Sequence, residues 1–334
     1  MENKESEFRD HQEKLFLIAN ALIIGTLTGF VISVFRLAIE KIFDLITKIF
    51  TNFNQSPIPV LLLIIFSVLA LSGCGFLIHR YPYLSGSGIP QIEGQLKGVY
   101  HEKAIGTLIG KFFGGIIAIG SGLMLGREGP SVQIGGSIGQ ITSSFYHQKE
   151  DRHLKIFIAC GAAAGLSAAF TAPLASVIFV AEEIYHRFIP VVWISAFVSS
   201  MAASFVTLNI FGLQPVLKIH YISVLQLKYY PWIIIIGILI GLLCRLYQIL
   251  LLKMPLLMSY TKLPDYFFGP FVYILMIPLA LFLPYCIGGG NQLITFVGKN
   301  SINIWFLGLI ILIRFLYSLL SYATKLPGEY FYRV

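Results

Sequence analysis

Long uncharged stretches alternate with short charged segments along the whole chain. A helix that crosses the hydrocarbon core of a bilayer needs roughly 20 predominantly apolar residues. Five stretches reach that length without a charged side chain: 15–35, 58–78, 156–181, 188–217 and 266–298. Three further apolar runs, near 104–126, 229–244 and 300–322, are shorter or are interrupted by a charge. The pattern predicts an all-α, polytopic membrane protein, because a membrane β-barrel would show short alternating segments instead.

Glycine and proline interrupt the apolar stretches at three places. The interruptions read YLSGSGIPQIEG at 83–94, LGREGP at 125–130 and FTAPLAS at 170–176. Non-helical backbone at membrane depth is tolerated only where protein buries it or where it lines a cavity. Broken spans of this kind indicate the binding site of a transporter.

The breaks in the first part of the chain have weak counterparts in the second part. SGSGIP begins at Ser85 and LGREGP at Leu125, which are 40 residues apart (125 − 85). IGGGNQLI begins at Ile287 and TKLPGE at Thr324, which are 37 residues apart (324 − 287). The echo predicts an inverted repeat with tilted, broken helices, in which residues 15–213 form the first repeat and 228–334 a partial second one.

Composition and charge narrow the class of protein further. Of the 334 residues, 56% are hydrophobic and 12% charged, whereas soluble domains carry about 25% charged residues. The net charge of +8 comes from positive charges between the spans. These charges indicate that the segments carrying them are cytoplasmic, and they do not suggest a nucleic-acid partner. The polar residues 1–14 are interpreted as a cytoplasmic N-terminal segment, since a signal peptide would need an apolar core there.

Cysteine and histidine usage favours neither disulfides nor a metal. The four cysteines lie far apart, within or beside apolar runs, so we interpret them as packing residues. The seven histidines are scattered without ligand spacing.

The segment GSGIP, residues 86–90, has the composition of an anion site. Its glycines expose backbone N–H groups, Ser87 adds a hydroxyl donor, and Pro90 can open a helix at its first turn. Free N–H groups at the positive end of a helix attract an anion without a full positive charge. The alternative is a tight turn between packed helices.

GREGP repeats this pattern with a carboxylate added. Gly129 and Pro130 predict a helix start, and Glu128 lies at its positive end, where an anion would bind. Ionised, Glu128 would block the path of the anion; protonated or displaced, it would open it. Arg127 would lower the cost of holding this charge, and a purely structural Arg–Glu pair is the alternative.

Two other groups of charged residues leave their role open. Glu182 and Glu183 end an apolar run just before Arg187, where the chain should emerge on the cytoplasmic side. They are either ordinary solvated glutamates or an entry point for protons. Lys111, in IGKFFGG, is an intramembrane charge that either favours anions or is paired.

Taken in order, GSGIP, KFFGG, GREGP and GAAAGLSAAFTAPLASVIFVAEE resemble the CLC family of chloride channels and chloride/proton antiporters. The resemblance extends from about residue 15 to Gly328. It implies that Ser87 coordinates chloride, that Glu128 is the gating glutamate and that Glu183 is the internal proton glutamate of antiporters. Ser87 points to chloride because nitrate-selective relatives carry proline there. The chloride-binding residues that it implies are Ser87, Gly88, Ile89, Arg127, Glu128 and Gly129.

The same resemblance implies the partners of the protein. Chloride would be the substrate and a proton the coupled ion, with no cofactor and no metal. The protein would be a multi-pass component of the cell membrane and a homodimer.

The sequence departs from the family pattern near its end. Where relatives read GLPGGIFxP, a segment that supplies further N–H groups to the anion pathway, this chain reads KLPGEYFYRV. We interpret this as a C-terminally truncated member without CBS domains, by frameshift or premature stop. We therefore expect the chain as given to be inactive or nearly so. Dimerisation should also be weakened, leaving only the 173–213 region to contribute.

Three functions remain open at this point. A chloride/proton antiporter with a glutamate gate is the leading hypothesis. A passive chloride channel is the alternative within transport, and Glu183 argues against it because channel-type relatives usually lack a carboxylate there. A non-transporting truncated fragment is the third. An enzyme is not expected, since the chain has no nucleophile–base set, metal cluster or soluble domain.

Overall fold

The computed structural model describes residues 2–53, 56–146, 151–186, 188–213, 226–300 and 302–328. Within these ranges the chain forms twelve α-helices and no β-strand. The helices are α1 (Glu2–Thr51), α2 (Pro57–Arg80), α3 (Ile89–Lys97), α4 (Ala104–Gly120), α5 (Glu128–Ser144), α6 (Asp151–Phe170), α7 (Pro173–Phe179), α8 (Pro190–Phe211), α9 (Tyr230–Ser259), α10 (Phe268–Phe282), α11 (Asn291–Lys299) and α12 (Ile304–Ala323).

Seven helices in the described part of the chain are long and apolar enough to cross a membrane. The candidate spans are Gln12–Thr51, Pro57–Arg80, Asp151–Phe170, Pro190–Phe211, Leu227–Ser259, Asp265–Phe282 and Ile304–Ala323. This confirms the predicted all-α, multi-pass membrane architecture. The shorter apolar helix α4 is 17 residues long and lies largely inside the bundle.

Two of the apolar stretches are each two helices rather than one. The stretch 156–181 breaks between α6 and α7, where Thr171 adopts a left-handed φ of 55° and Pro173 opens the next helix. The stretch 266–298 breaks between α10 and α11, where a 3₁₀ turn begins at Pro284. Hydropathy alone does not distinguish these broken stretches from continuous spans, because the loops are as apolar as the helices.

The first helix is longer than its apolar stretch. It begins within the polar segment 1–14 and continues through Arg36, where 15–35 would have ended it. Arg36 donates to Glu40 one turn later at 2.8 Å and lies 4.0 Å from the ring centroid of Phe211. Because both partners satisfy the guanidinium, the charge does not interrupt the helix.

Close packing of α5 against α6 forms the centre of the bundle, with α1 and α8 packed around it. Glycine permits this packing at four positions, since a β-carbon at each would overlap the backbone of the facing helix. The four positions are Gly135, Gly139, Gly161 and Gly165. Small residues at such crossings let helix backbones approach closely in membranes. The crossing holds the start of α5 in a fixed place.

The repeat suggested by the sequence has a structural counterpart at two helix starts. Each begins with a 3₁₀ turn, Pro82–Leu84 or Pro284–Cys286, followed by a glycine-rich loop and a nine-residue helix. The residue before each helix is a glycine with φ of 95°, Gly88 before α3 and Gly290 before α11. Only glycine adopts that backbone conformation readily, so the same requirement explains why glycine occupies both positions. They are 202 positions apart (290 − 88).

We expect Gly161→Ala to lower the thermal stability of the purified protein in detergent. The new methyl group would force α6 away from the carbonyl of Gly135, and overpacking of this kind typically costs about 1–3 kcal/mol. Gly237→Ala in α9 is the matched control, because nothing lies within 4 Å of a β-carbon there. Equal melting temperatures for the two variants would show that the α5–α6 contact does not limit stability.

Candidate functional site

The GSGIP segment forms the start of a helix, as predicted. Gly88 is the N-cap of α3, and Ile89 and Pro90 begin the helix. The first N–H groups of a helix have no intrahelical partner. Ser87 is 1% exposed, and its hydroxyl oxygen has no hydrogen-bond partner among the described residues. A buried hydroxyl without a partner costs about 1–3 kcal/mol, so this position suits a ligand that accepts a hydrogen bond.

GREGP also forms a helix start, and it meets the first one. Arg127 is the N-cap of α5 and the half-buried Glu128 is its first residue. A β-carbon at Gly129 would collide with the hydroxyl, the carbonyl oxygen and Cα of Ser87. The positive ends of α3 and α5 therefore converge at Ser87. The structure thus brings together the six residues predicted to bind the anion: Ser87, Gly88, Ile89, Arg127, Glu128 and Gly129.

The side chain of Arg127 does not pair with Glu128. Its guanidinium donates to Glu40 on α1 at 3.0 Å and is only 11% exposed. Among the ion pairs of the described residues, none joins Arg127 to Glu128. Arg127 therefore contributes to the start of α5 as its N-cap residue. Its positive charge is already balanced by Glu40. Sequence reasoning missed Glu40, which lies 87 positions away in the chain.

Lys111 holds the loop that carries Ser87. Its side chain is fully buried, and its ammonium donates to the carbonyl oxygens of Gly86 at 2.6 Å and Ser85 at 3.2 Å. The C=O and N–H of a trans peptide point in opposite directions. With the Gly86 carbonyl directed at Lys111, the N–H of Ser87 faces away from it. The sequence shows Lys111 as an intramembrane charge but contains no signal for this contact.

Arg314 holds the loop before α11 in the way that Lys111 holds the loop before α3. Its guanidinium donates to the carbonyl oxygens of Cys286 at 2.8 Å and Gly288 at 3.1 Å. Lys111 and Arg314 are 203 positions apart (314 − 111), close to the spacing of the two N-cap glycines. The loop before α11 has Gly289 where the first loop has Ser87 (289 − 87 = 202). The second loop therefore repeats the support but not the serine hydroxyl.

Glu183 lies apart from the converging helix starts. It is exposed, together with Glu182, on a π-helical turn formed by Val180–Ile184 after α7. His186, three residues later, contacts Glu93 of α3 at 2.9 Å. This turn thus lies beside α3, beyond the first turn that faces Ser87. Emergence of the chain on the cytoplasmic side at this point stays a prediction.

Cysteines and metal ligands take no part in the described site. Cys74, Cys160 and Cys286 are buried and reduced, which agrees with packing roles, whereas Cys244 is exposed. No group of three or more metal-ligating side chains occurs within the described ranges.

The fold and the site together define a class of protein. Seven candidate spans, helices broken at buried loops and two helix starts that converge on an unpartnered hydroxyl are features of a membrane protein that transports an ion. The family described as "Voltage gated chloride channel" matches residues 68–332. The chain belongs to this family, the CLC family, and is an integral membrane protein.

Relatives and solved structures agree with this assignment. The H(+)/Cl(-) exchange transporter ClcA of Vibrio parahaemolyticus is 33% identical over 93% of this chain and 68% of its own length. ClcA of Vibrio cholerae is 32% identical with the same coverage. The crystal structure of a slow cyanobacterial Cl⁻/H⁺ antiporter superimposes with a TM-score of 0.85 at 28% identity, covering 94% of this chain and 75% of that one.

We expect Gly129→Ala to weaken anion binding about tenfold or more, because the methyl group would displace Ser87 and separate the two helix starts. Isothermal titration of chloride into the purified protein measures this effect. Gly73→Ala in α2, where nothing lies within 4 Å of a β-carbon, should bind chloride like the wild type. Unchanged binding by Gly129→Ala would mean that the anion does not depend on the contact between Gly129 and Ser87.

Proposed function

We propose that this protein is a chloride/proton antiporter in which chloride binds where α3 and α5 converge. The observation that carries the proposal is the buried hydroxyl of Ser87, which lacks a partner and lies against Gly129 at the two helix starts. Helix N-termini attract anions through free N–H groups and the helix dipole. The site attracts chloride only moderately, which suits transport because the ion must also leave.

Glu128 is the proposed gate. It lies at the first position of α5, so its carboxylate competes with chloride for the same N–H groups. Because Arg127 is already paired with Glu40, no side-chain ion pair with Arg127 holds the Glu128 carboxylate in place. The carboxylate is therefore free to swing away when a proton neutralises it. A group that both competes with chloride and carries a proton couples the two ions.

Glu183 is the proposed entry point for protons from the cytoplasm. Its side chain is exposed on the turn that follows α7, so protons can reach it from outside the helix bundle. This carboxylate and the names of the two relatives, which are both H(+)/Cl(-) exchange transporters, favour antiport over a passive channel.

If Ser87 forms the central site, Ser87→Pro should shift selectivity from chloride toward nitrate, by analogy with nitrate-type relatives. Proline removes both the hydroxyl and the backbone N–H donor of residue 87. Chloride and nitrate uptake into liposomes measures the ratio, and Ser87→Ala separates the loss of the hydroxyl from the effect of proline. An unchanged ratio in Ser87→Pro would exclude Ser87 from the selectivity site.

If Glu128 and Glu183 carry the proton, glutamine at either position should abolish proton movement while leaving some chloride flux, because an amide does not titrate. Proton uptake driven by a chloride gradient measures this in liposomes. Glu182→Gln is the matched control for Glu183, since it lies next to Glu183 on the same exposed turn and should remain coupled. Either residue is excluded from the mechanism if its glutamine variant still pumps protons.

A further inference from the structure

A third carboxylate, Glu102, lies buried behind the proposed chloride site. It occupies the connection between α3 and α4 and is 8% exposed, whereas its neighbours His101 and Lys103 are exposed. Its Oε1 accepts a hydrogen bond from Gln95 of α3, and its Oε2 accepts one from Gln133 of α5 at 2.9 Å. A carboxylate in so enclosed a place is costly unless it is paired and hydrogen-bonded.

One side chain joins Glu102 to the loop that carries Ser87. The amide nitrogen of Gln133, besides contacting Glu102, donates to the carbonyl oxygen of Tyr83 at 3.2 Å. A β-carbon at Gly88 would overlap the side chain of Gln133. Gln133 therefore packs directly against the N-cap of α3, and Glu102 fixes which way its amide points.

Gln140 adds a second connection from α5, because its amide donates to the backbone carbonyl of Glu102 at 3.1 Å. The connection between α3 and α4 is thus tied to α5 at two points, 133 and 140. A change at Glu102 acts on α3 and α5 together, which are the two helices that meet at Ser87.

Lys111 supplies the opposite charge. It interacts electrostatically with Glu102 without a direct contact, while its ammonium donates to the Ser85 and Gly86 carbonyls. The other titratable groups that face Glu102 are Tyr83 and Tyr100. Burial raises the pKa of both phenols, that of Tyr100 to about 12, so they stay neutral at physiological pH. Thr107 of α4, Gln95, Gln133 and Gln140 do not titrate.

Burial also raises the pKa of Glu102, which lies outside the candidate spans, from its ordinary value to about 7. The hydrogen bonds from the glutamines and the charge of Lys111 offset this effect only in part. The carboxyl group therefore gains a proton as the pH falls through neutrality, and loses it as the pH rises.

We infer that Glu102 is a positioning residue for the chloride-binding loop and that its charge regulates how strongly this loop attracts chloride. The inference rests on the proposed chloride site at Ser87. When Glu102 is ionised, its negative charge balances Lys111 behind the loop. When Glu102 is protonated, the positive charge of Lys111 is unbalanced and attracts the anion. Chloride should therefore bind more tightly in acid, through a group separate from Glu128.

The test uses the full chain in a Glu128→Gln background, which removes the carboxylate that competes with chloride. We expect chloride, titrated calorimetrically, to bind about three- to tenfold more tightly at about pH 5.5 than at about pH 8.5, the size of effect that one nearby unit charge has in partly polar surroundings. Adding Glu102→Gln should reduce this pH dependence, and the part that remains comes from Lys111, the other buried titratable group beside the loop. Glu102→Asp should restore the dependence, and Glu13→Gln, a carboxylate that pairs with Arg152 and His153, should not change it.

Amide hydrogen exchange of residues 84–92 tests the positioning role without chloride. A glutamine at 102 presents an N–H₂ group to one of the two glutamine donors, so one of them loses its acceptor. Exchange in this segment should become faster in Glu102→Gln than in the wild type at alkaline pH. In the wild-type protein, acidification should lower the protection factors of the same segment, that is, exchange relative to the intrinsic rate at each pH. This comparison needs no variant, so it still tests the role if Glu102→Gln does not fold.

The outcomes separate the inference from the proposed function. If the Glu128→Gln protein binds no chloride at either pH while exchange responds to Glu102, the chloride site at Ser87 is wrong and the positioning role is supported. If chloride binding keeps its full pH dependence after Glu102→Gln, the regulatory inference is wrong and the site is retained. If exchange does not respond to Glu102, the positioning role is wrong.

Discussion

The structure depends on satisfying backbone groups where a helix breaks inside a membrane protein. Each unpaired carbonyl or amide in a lipid-like interior costs several kcal/mol, so a break is tolerated only when side chains or other backbone complete its hydrogen bonds. Here buried cations do so. Lys111 donates hydrogen bonds to the carbonyls of Ser85 and Gly86. Arg314 donates hydrogen bonds to the carbonyls of Cys286 and Gly288.

Backbone contacts between the two parts of the chain complete the same requirement. The N–H of Gly86 donates to the carbonyl of Lys325 at 3.1 Å, and the N–H of Gly288 donates to that of Gly122 at 2.8 Å. The loop before α3 is therefore held by Lys325, 239 positions beyond Gly86 (325 − 86), and the loop before α11 by Gly122, 166 positions before Gly288 (288 − 122). With the carbonyls occupied, the remaining N–H groups at the helix starts are available to an anion.

Three carboxylates near this region differ mainly in their exposure. Glu128 is half-buried at a helix start, Glu183 is exposed on a turn, and Glu102 is enclosed by glutamines. In the proposed mechanism the first alternates with chloride and the second takes up protons, whereas the third responds to pH without contacting either ion.

Several features were determined by the sequence alone. The length and apolarity of the spans required a helical membrane protein, because only that structure satisfies the backbone of such stretches in lipid. GSGIP and GREGP predicted helix starts, because proline is favoured in the first turn of a helix and glycine leaves the backbone N–H groups accessible, and both helices begin as expected. The break at FTAPLAS was predicted for the same reason.

Other features were decided only by the tertiary structure, because they depend on residues far apart in the chain. The convergence of Ser87 and Gly129 follows from the packing of α5, and the pairing of Arg127 with Glu40 joins positions 87 residues apart. Glu102 shows the difference most clearly. In the sequence it lies in the polar segment HEK, which is typical of a solvated loop, whereas the fold buries it between α3 and α5. Burial and partners are properties of the packed molecule, and no local pattern encodes them.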